Sequence, residues 1–157
     1  MLMIKILSTH SADFEQVLQA VADIEAIVQP QDAWGYQTLV ESLKQDSIAL
    51  MLVMNSAKEV VGYCLYQVIF EQAEILRIGT HPNYQRQGIA SQVFAKLNLE
   101  LMGNQVENLL LEVRADNTPA LALYEQQGFI VIHRRKGYYQ QPNQPAVDAI
   151  IMQRIYT

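Results

Sequence analysis

The stretch Gln85-Arg86-Gln87-Gly88-Ile89-Ala90 decides how the rest of the chain is read. It follows an extended apolar run, Ala73 to Thr80, and opens a helical one, Ile89 to Leu101. A turn from strand into helix leaves backbone N–H groups without intrahelical partners, with about half a positive charge of helix dipole behind them. Such a turn seats phosphate, and Arg86 sets a cation beside it. One glycine at a strand–helix junction is equally well explained as a turn and nothing more. The stretch lacks the three glycines of a dinucleotide-binding fingerprint and the Gly-Lys-Ser/Thr of a P-loop.

Upstream of this turn, Ile4 and Ile6 mark a short strand. Residues 11–28 then carry Phe14, Val17, Leu18, Val21, Ile24, Ile27 and Val28 at helical spacing, with Ser11 or Asp13 as cap. A second short helix fits Tyr36 to Leu43. Ile48 to Met54 and Val60 to Phe70 read as strands joined by a polar turn at Asn55–Lys58, and Ala73 to Thr80 continues that meander. Downstream, Ile89, Val93, Leu97 and Leu101 recur every four residues on one helix face. Leu109 to Val113 is nearly all apolar, which predicts a strand covered on both faces. Asn117 is a candidate N-cap for a helix over Ala120–Gln127, and Gly128 suits its end. Phe129 to Ile132 and Ala149 to Ile155 read as strands around a hairpin loop, Gly137 to Ala146. The order predicts one α/β domain over residues 1–157, a mixed sheet with helices on both faces.

Composition narrows the function. Of 157 residues, 50% are hydrophobic and 17% charged, which excludes a disordered chain. A net charge of −5 argues against nucleic-acid binding through a basic face, and no nucleic-acid partner is expected. Cys64 is the only cysteine, so no internal disulfide forms. It sits mid-strand among Val61, Leu65 and Tyr66 and reads as a buried, inert thiol. His10, His81 and His133 are scattered without metal-ligand spacing, so no metal is expected. Met1 to Leu7, broken by Lys5, reads as a strand and not a signal peptide. Ile48 to Met54 is too short to span a bilayer. A cytoplasmic protein without a membrane partner is expected.

Gln85, Gly88 and Ala90 also match the pattern Gln/Arg-x-x-Gly-x-Gly/Ala. Here the chain resembles the GNAT family of acyl-CoA-dependent N-acyltransferases, in which this turn holds the CoA pyrophosphate. The resemblance implies a mostly antiparallel sheet of about seven strands, with a splayed pair holding acyl-CoA. It implies acetyl-CoA contacts at Ile78, Gly79 and Thr80 on the strand, at Arg86, Gln87, Gly88, Ile89, Ala90 and Ser91 in the turn, and at Asn117. Gly79 inside a β-prone run is equally a packing residue, and Asn117 equally a plain cap. Tyr124 followed by Gly128-Phe129 fits the family's Tyr-x-x-x-Gly-Phe segment. Leu111 to Asn117 and Ala120 to Tyr124 resemble the RimI type within the family, the bacterial ribosomal-protein-alanine N-acetyltransferases. The resemblance is strong from about residue 73 to 154. Ala33-Trp34-Gly35 and Lys136-Gly137 depart from the family pattern, and both border its acceptor site.

Acyl transfer from a thioester to an amine needs a neutral amine, a stabilised oxyanion and a proton for the leaving thiolate. Glu112 interrupts the apolar run Leu109–Leu111 and is the candidate base, the role the resemblance gives it; an ion pair with Arg114 is the competing reading. Tyr124 is the candidate acid, since a phenol of pKa about 10 is protonated at neutral pH. Its competing reading is a core tyrosine. Trp34, Tyr138 and Tyr139 are candidate acceptor walls by resemblance, or anchors of their loops. Arg134 and Arg135 read as a solvated strand end. The resemblance implies acetylation of the N-terminal α-amine of a protein, the N-terminal alanine of a small-subunit ribosomal protein; a monomer or weak dimer is expected. The alternatives are transfer to a lysine or a small amine, and a non-catalytic acyl-CoA sensor.

Overall fold

Apolar residues at helical and alternating spacing settle into four helices and seven strands in the computed structural model, which describes residues 1–156. Thr157, the last residue of the domain assigned from sequence, lies outside the described residues. In chain order the elements are β1 (Met3–Ile6), α1 (Phe14–Val28), α2 (Tyr36–Leu43), β2 (Ile48–Met54), β3 (Val60–Ile69), β4 (Gln72–Thr80), α3 (Ile89–Gly103), β5 (Asn108–Arg114), α4 (Thr118–Gln126), β6 (Ile130–Tyr139) and β7 (Val147–Ile155), with a single 3-10 turn at Pro82–Tyr84. The strand order is β1-β2-β3-β4-β5-β7-β6. The chain divides into two compact units, each built around part of this order.

The first unit comprises Met1–Gln67 and Leu76–Glu100. In it β1 pairs antiparallel with β2, and β2 with β3. The apolar stripe of α1, Val17, Leu18, Val21 and Ile24, packs with Leu39 of α2 and with Leu50, Leu52, Tyr63 and Leu65 of the strands. Fully burying a side chain of that size contributes about 1.5–3 kcal/mol, so this stripe explains why the helix forms. Asp13 stands at the N-cap of α1 without capping it; its carboxylate accepts from the Ser11 hydroxyl instead. The β2–β3 ladder slips between Val53 and Met54, where Val53 pairs with Gly62 and Met54 with Val60. The bulge releases the Val61 carbonyl, which accepts from the His81 N–H at 2.8 Å and so fixes the exit of β4.

The second unit comprises Val68–Ile75 and the chain from Leu101 onward. Here β4 pairs parallel with β5 over Gln72–Glu74 and Asn108–Leu110. β5 pairs antiparallel with β7 along its whole length, and β7 pairs antiparallel with β6. Two sequence expectations change. β5 is not covered on both faces: Leu109, Leu111 and Val113 are buried, while Leu110, Glu112 and Arg114 alternate with them half-buried. β6 runs on to Tyr139, so the loop begins only at residue 140. The charged run Arg134-Arg135-Lys136 imitates a loop because β6 stands at the end of the strand order, where its side chains meet solvent.

Candidate active site

The first unit carries the turn that opened the sequence reading. Arg86 at φ +64° and Gly88 at φ +78° both lie in the left-handed region, coiling the chain tightly between β4 and α3. A Cβ at Gly88 would meet nothing within 4 Å, so glycine is needed there for its backbone angle and the space above it is open. Ile89 is buried and anchors the start of α3, whereas Arg86, Gln87, Gly88 and Ser91 are exposed. The first helical bond runs from the Gln92 N–H to the Gly88 carbonyl, leaving the Ile89 and Ala90 N–H groups without acceptors inside the helix. Gln85 donates from its side chain to the Thr80 carbonyl at 3.2 Å, and Gln87 to the Asn83 carbonyl at 3.3 Å, stiffening the approach. A coiled turn that leaves two backbone donors without partners inside the helix, a few residues after Arg86, fits a pyrophosphate.

On β4, the residues expected to meet the cofactor have structural duties as well. The Ile78 carbonyl accepts from the Gln29 side chain at 3.1 Å. Gly79 is a packing residue: an added Cβ would lie 2.6 Å from the Tyr63 hydroxyl and 2.8 Å from its ring carbon. That phenol reaches Glu25 of α1 at 2.5 Å. Trp34 is half-buried; its backbone N–H donates to Glu25 at 2.8 Å, and the Arg77 guanidinium lies 5.5 Å from its ring centre. Burial, followed by the charge of Glu25, holds the Tyr63 hydroxyl far above the usual phenol range, so it remains a donor. Cys64 is fully buried with its thiol pushed up to about 12 by desolvation, consistent with an inert core residue.

The second unit holds the candidate base and acid. Glu112 is 28% exposed at its side chain and accepts from the Tyr139 hydroxyl at 3.1 Å. Arg135 Nη1 lies 3.8 Å from the other carboxylate oxygen. Arg114 pairs with Asp116 at 3.0 Å and lies 5.1 Å from the Tyr139 ring centre. Arg135 is therefore more than a solvated strand end; it also stands over Tyr138 at 5.2 Å, and the rings of Tyr138 and Tyr139 meet edge to face. Glu74 completes the charged surroundings. Its carboxyl is pushed up by burial first and then by the charge of Glu112, with Arg135 opposing.

Tyr124 is 8% exposed and packs edge-on against Phe129, whose N–H donates to the Tyr124 carbonyl. Asn117 caps α4 by accepting from the Ala120 N–H at 3.3 Å. Three residues escaped the sequence reading, namely Glu25, Arg77 and Glu74. For Glu25 a signal existed, since it falls on the buried stripe of α1 seven residues after Leu18. No group of three or more potential metal ligands occurs among the described residues, and none of their helices is long and apolar enough to cross a membrane.

Residues 14–129 match the acetyltransferase (GNAT) family. The chain is 29% identical to the ribosomal protein bS18-alanine N-acetyltransferase of Haemophilus influenzae over 143 residues, covering 91% of this chain and 92% of the relative. It is 34% identical to the protein of that name from Escherichia coli over 119 residues, 76% of this chain and 78% of the relative. The crystal structure of the Escherichia coli ribosomal-protein-S18-alanine N-acetyltransferase superposes with a TM-score of 0.86 at 30% identity, covering 99% of this chain and 94% of the other. With its mixed seven-stranded sheet and a family match across most of its length, the chain belongs to the acetyltransferase (GNAT) family of acetyl-CoA-dependent acyltransferases.

Proposed function

We propose that this chain acetylates the N-terminal α-amine of a protein, the N-terminal alanine of a small-subunit ribosomal protein, by direct attack of the amine on acetyl-CoA. The observation that carries the chemistry is the Glu112 carboxylate, half-buried on β5 with the Tyr139 phenol donating to it at 3.1 Å. The acceptor follows the names of the relatives in Haemophilus influenzae and Escherichia coli, which state alanine of bS18. The match to one family over residues 14–129, which spans stretches of both units, supports treating residues 1–157 as one functional domain.

In this reading the turn at Arg86–Ser91 binds the pyrophosphate, and Ile78, Gly79, Thr80 and Asn117 bind the rest of the donor. Acetyl-CoA supplies the activated acyl group. Glu112 takes the proton from the attacking amine as its nitrogen bonds to the carbonyl carbon. Tyr124 gives its proton to the sulfur as the C–S bond breaks. Trp34, Tyr138 and Tyr139 border the acceptor. An α-amine of pKa about 8 is easier to neutralise than a lysine of pKa about 10.4 by roughly 3–4 kcal/mol, so a half-exposed carboxylate is base enough.

The test is acetyl transfer to two peptides, one with a free N-terminal alanine and no lysine, the other with a blocked N-terminus and a free lysine. Transfer to the first is expected. Transfer confined to the second would overturn the α-amine assignment.

A further inference from the structure

Glu25 is the one charged residue among the described residues that is fully buried, at 0% exposure. It lies near the end of α1 and takes donors from three other places in the first unit. Tyr63 of β3 donates to Oε1 at 2.5 Å. The Trp34 backbone N–H reaches Oε2 at 2.8 Å, as do Arg77 Nε at 2.9 Å and Nη2 at 2.8 Å from β4. The far side of the same guanidinium grips Asp32, with Nη2 3.2 Å from Oδ1. Gln29 adds its bond to the Ile78 carbonyl. The connection from α1 to α2 is thus tied down at Gln29, Asp32 and Trp34.

A buried charge is a poor way to gain stability, because a well-packed apolar residue of similar volume serves as well or better. What the carboxylate does here, and an apolar residue cannot, is hold a loop backbone N–H and a guanidinium at fixed points. Connecting segments otherwise move more than the elements they join. Tyr63 can reach Glu25 because Gly79 has no side chain in its path. Four elements of structure therefore converge on one anion, and what they fix is the place of the single tryptophan, Trp34.

We infer that Glu25 is a positioning residue for the acceptor: through Trp34 and Arg77 it holds the α1–α2 connection in the form that receives the acceptor peptide. This rests on the reading above that Trp34 borders the acceptor. The effect belongs to acceptor binding and not to the chemical step.

The experiment compares Glu25→Gln and Trp34→Ala with the unaltered protein, using an alanine-ended peptide and acetyl-CoA. Because Trp34 is the only tryptophan, its quenching by acrylamide reports the loop directly. For Glu25→Gln, KM for the peptide is expected to rise about tenfold, with kcat and KM for acetyl-CoA within about twofold, and Trp34 quenching is expected to increase. A folded Glu25→Gln protein with unchanged peptide KM overturns the inference if Trp34→Ala raises it. An unchanged KM in Trp34→Ala overturns the acceptor-wall reading and the inference with it, while the quenching of Glu25→Gln still shows whether the loop was held. Should Glu25→Gln fail to fold, Asp32→Asn loosens the same loop from the exposed end of Arg77. Peptide KM and quenching then rise together, by about threefold in KM, and their constancy overturns the inference.

Discussion

The Tyr139 hydroxyl lies 3.1 Å from Oε2 of Glu112 although their strands, β6 and β5, are separated by β7. Two irregularities of β6 make this reach possible. Ile132 is an extra residue between the pairs Val131–Met152 and His133–Ile151, and it turns the following residues over. Arg135 then pairs with Ala149, which also pairs with Arg114, and so shares the face of Glu112. A second bulge leaves four steps on β6 against two on β7 between Arg135–Ala149 and Tyr139–Val147. An even difference keeps the face, so Tyr139 returns to the side of Glu112.

Removing the phenol should be felt by the carboxylate. Tyr139→Phe keeps the ring stacked near Arg114 and deletes the donor. Without that donor Oε2 of Glu112 loses the bond that holds it in place. A fall of about tenfold in kcat/KM at pH 7 is expected, equivalent to about 1.4 kcal/mol. A kcat/KM equal to that of the unaltered protein would separate Tyr139 from Glu112 in function.

Glu112→Gln removes the base but not the amine's own acidity. General-base contributions are typically about 10²–10⁴-fold. Above about pH 8 an α-amine deprotonates unaided, so the deficit should be largest near pH 6 and shrink as pH rises. A deficit independent of pH would argue that Glu112 orients the acceptor and does not take its proton.

Tyr124→Phe preserves the edge-on packing against Phe129, because only the hydroxyl is lost. The expected outcome is a drop in kcat of about 10²-fold with acetyl-CoA affinity nearly unchanged, measured by turnover and calorimetry. A large loss of affinity instead would recast Tyr124 as structural.

Local pattern was enough to find what local pattern builds. Tyr36–Leu43 and Ile48–Met54 have in the structure the bounds their periodicity predicts, and Asn117 caps its helix. The turn at Gln85–Ala90 was legible because strand, glycine and helix are neighbours in sequence. The place of Glu25 on the buried stripe of α1 was legible too, but its partners were not, since its donors come from 9, 38 and 52 residues away and no window along the chain contains them. β5 misled because Leu109, Leu110 and Leu111 are alike in type, yet Leu110 faces the same side as Glu112 and is only half-buried. β6 misled because an edge strand tolerates charges that elsewhere signal a loop.

Two glycines should fail differently. Gly79→Ala places a Cβ 2.6 Å from the Tyr63 hydroxyl, inside a packed core. Such overpacking costs about 1–3 kcal/mol and should lower Tm by several degrees. Gly88→Ala meets no atom but must hold φ +78°, so the strain of about 1–2 kcal/mol falls on the turn itself. Weaker acetyl-CoA binding with a small Tm change is expected there. Thermal unfolding and calorimetry on both proteins distinguish the two, and equal Tm losses with equal affinities would contradict the assignment of the turn to the pyrophosphate.

The second bulge of β6 is held by Asp148, whose carboxylate accepts from the Gly137 N–H at 2.8 Å and pairs with Arg134. The Gly137 bond first, and then Arg134, lower its pKa below the ordinary 3.8. A carboxyl whose folded-state pKa is depressed binds its proton more readily when unfolded. Its stabilising contribution is therefore complete above the unfolded value and is lost as pH falls through the folded one. Asp148→Asn should be less stable than the unaltered protein at neutral pH, with the gap closing below about pH 4. Denaturant titrations between pH 2.5 and 7 measure this, the limits being about those of ordinary carboxyl titration. Because Gly137 sits between Arg135 and Tyr139, the same substitution should also raise peptide KM at neutral pH, whereas a stability gap that persists unchanged at low pH would mean that the bulge is held by shape and not by the charge of Asp148.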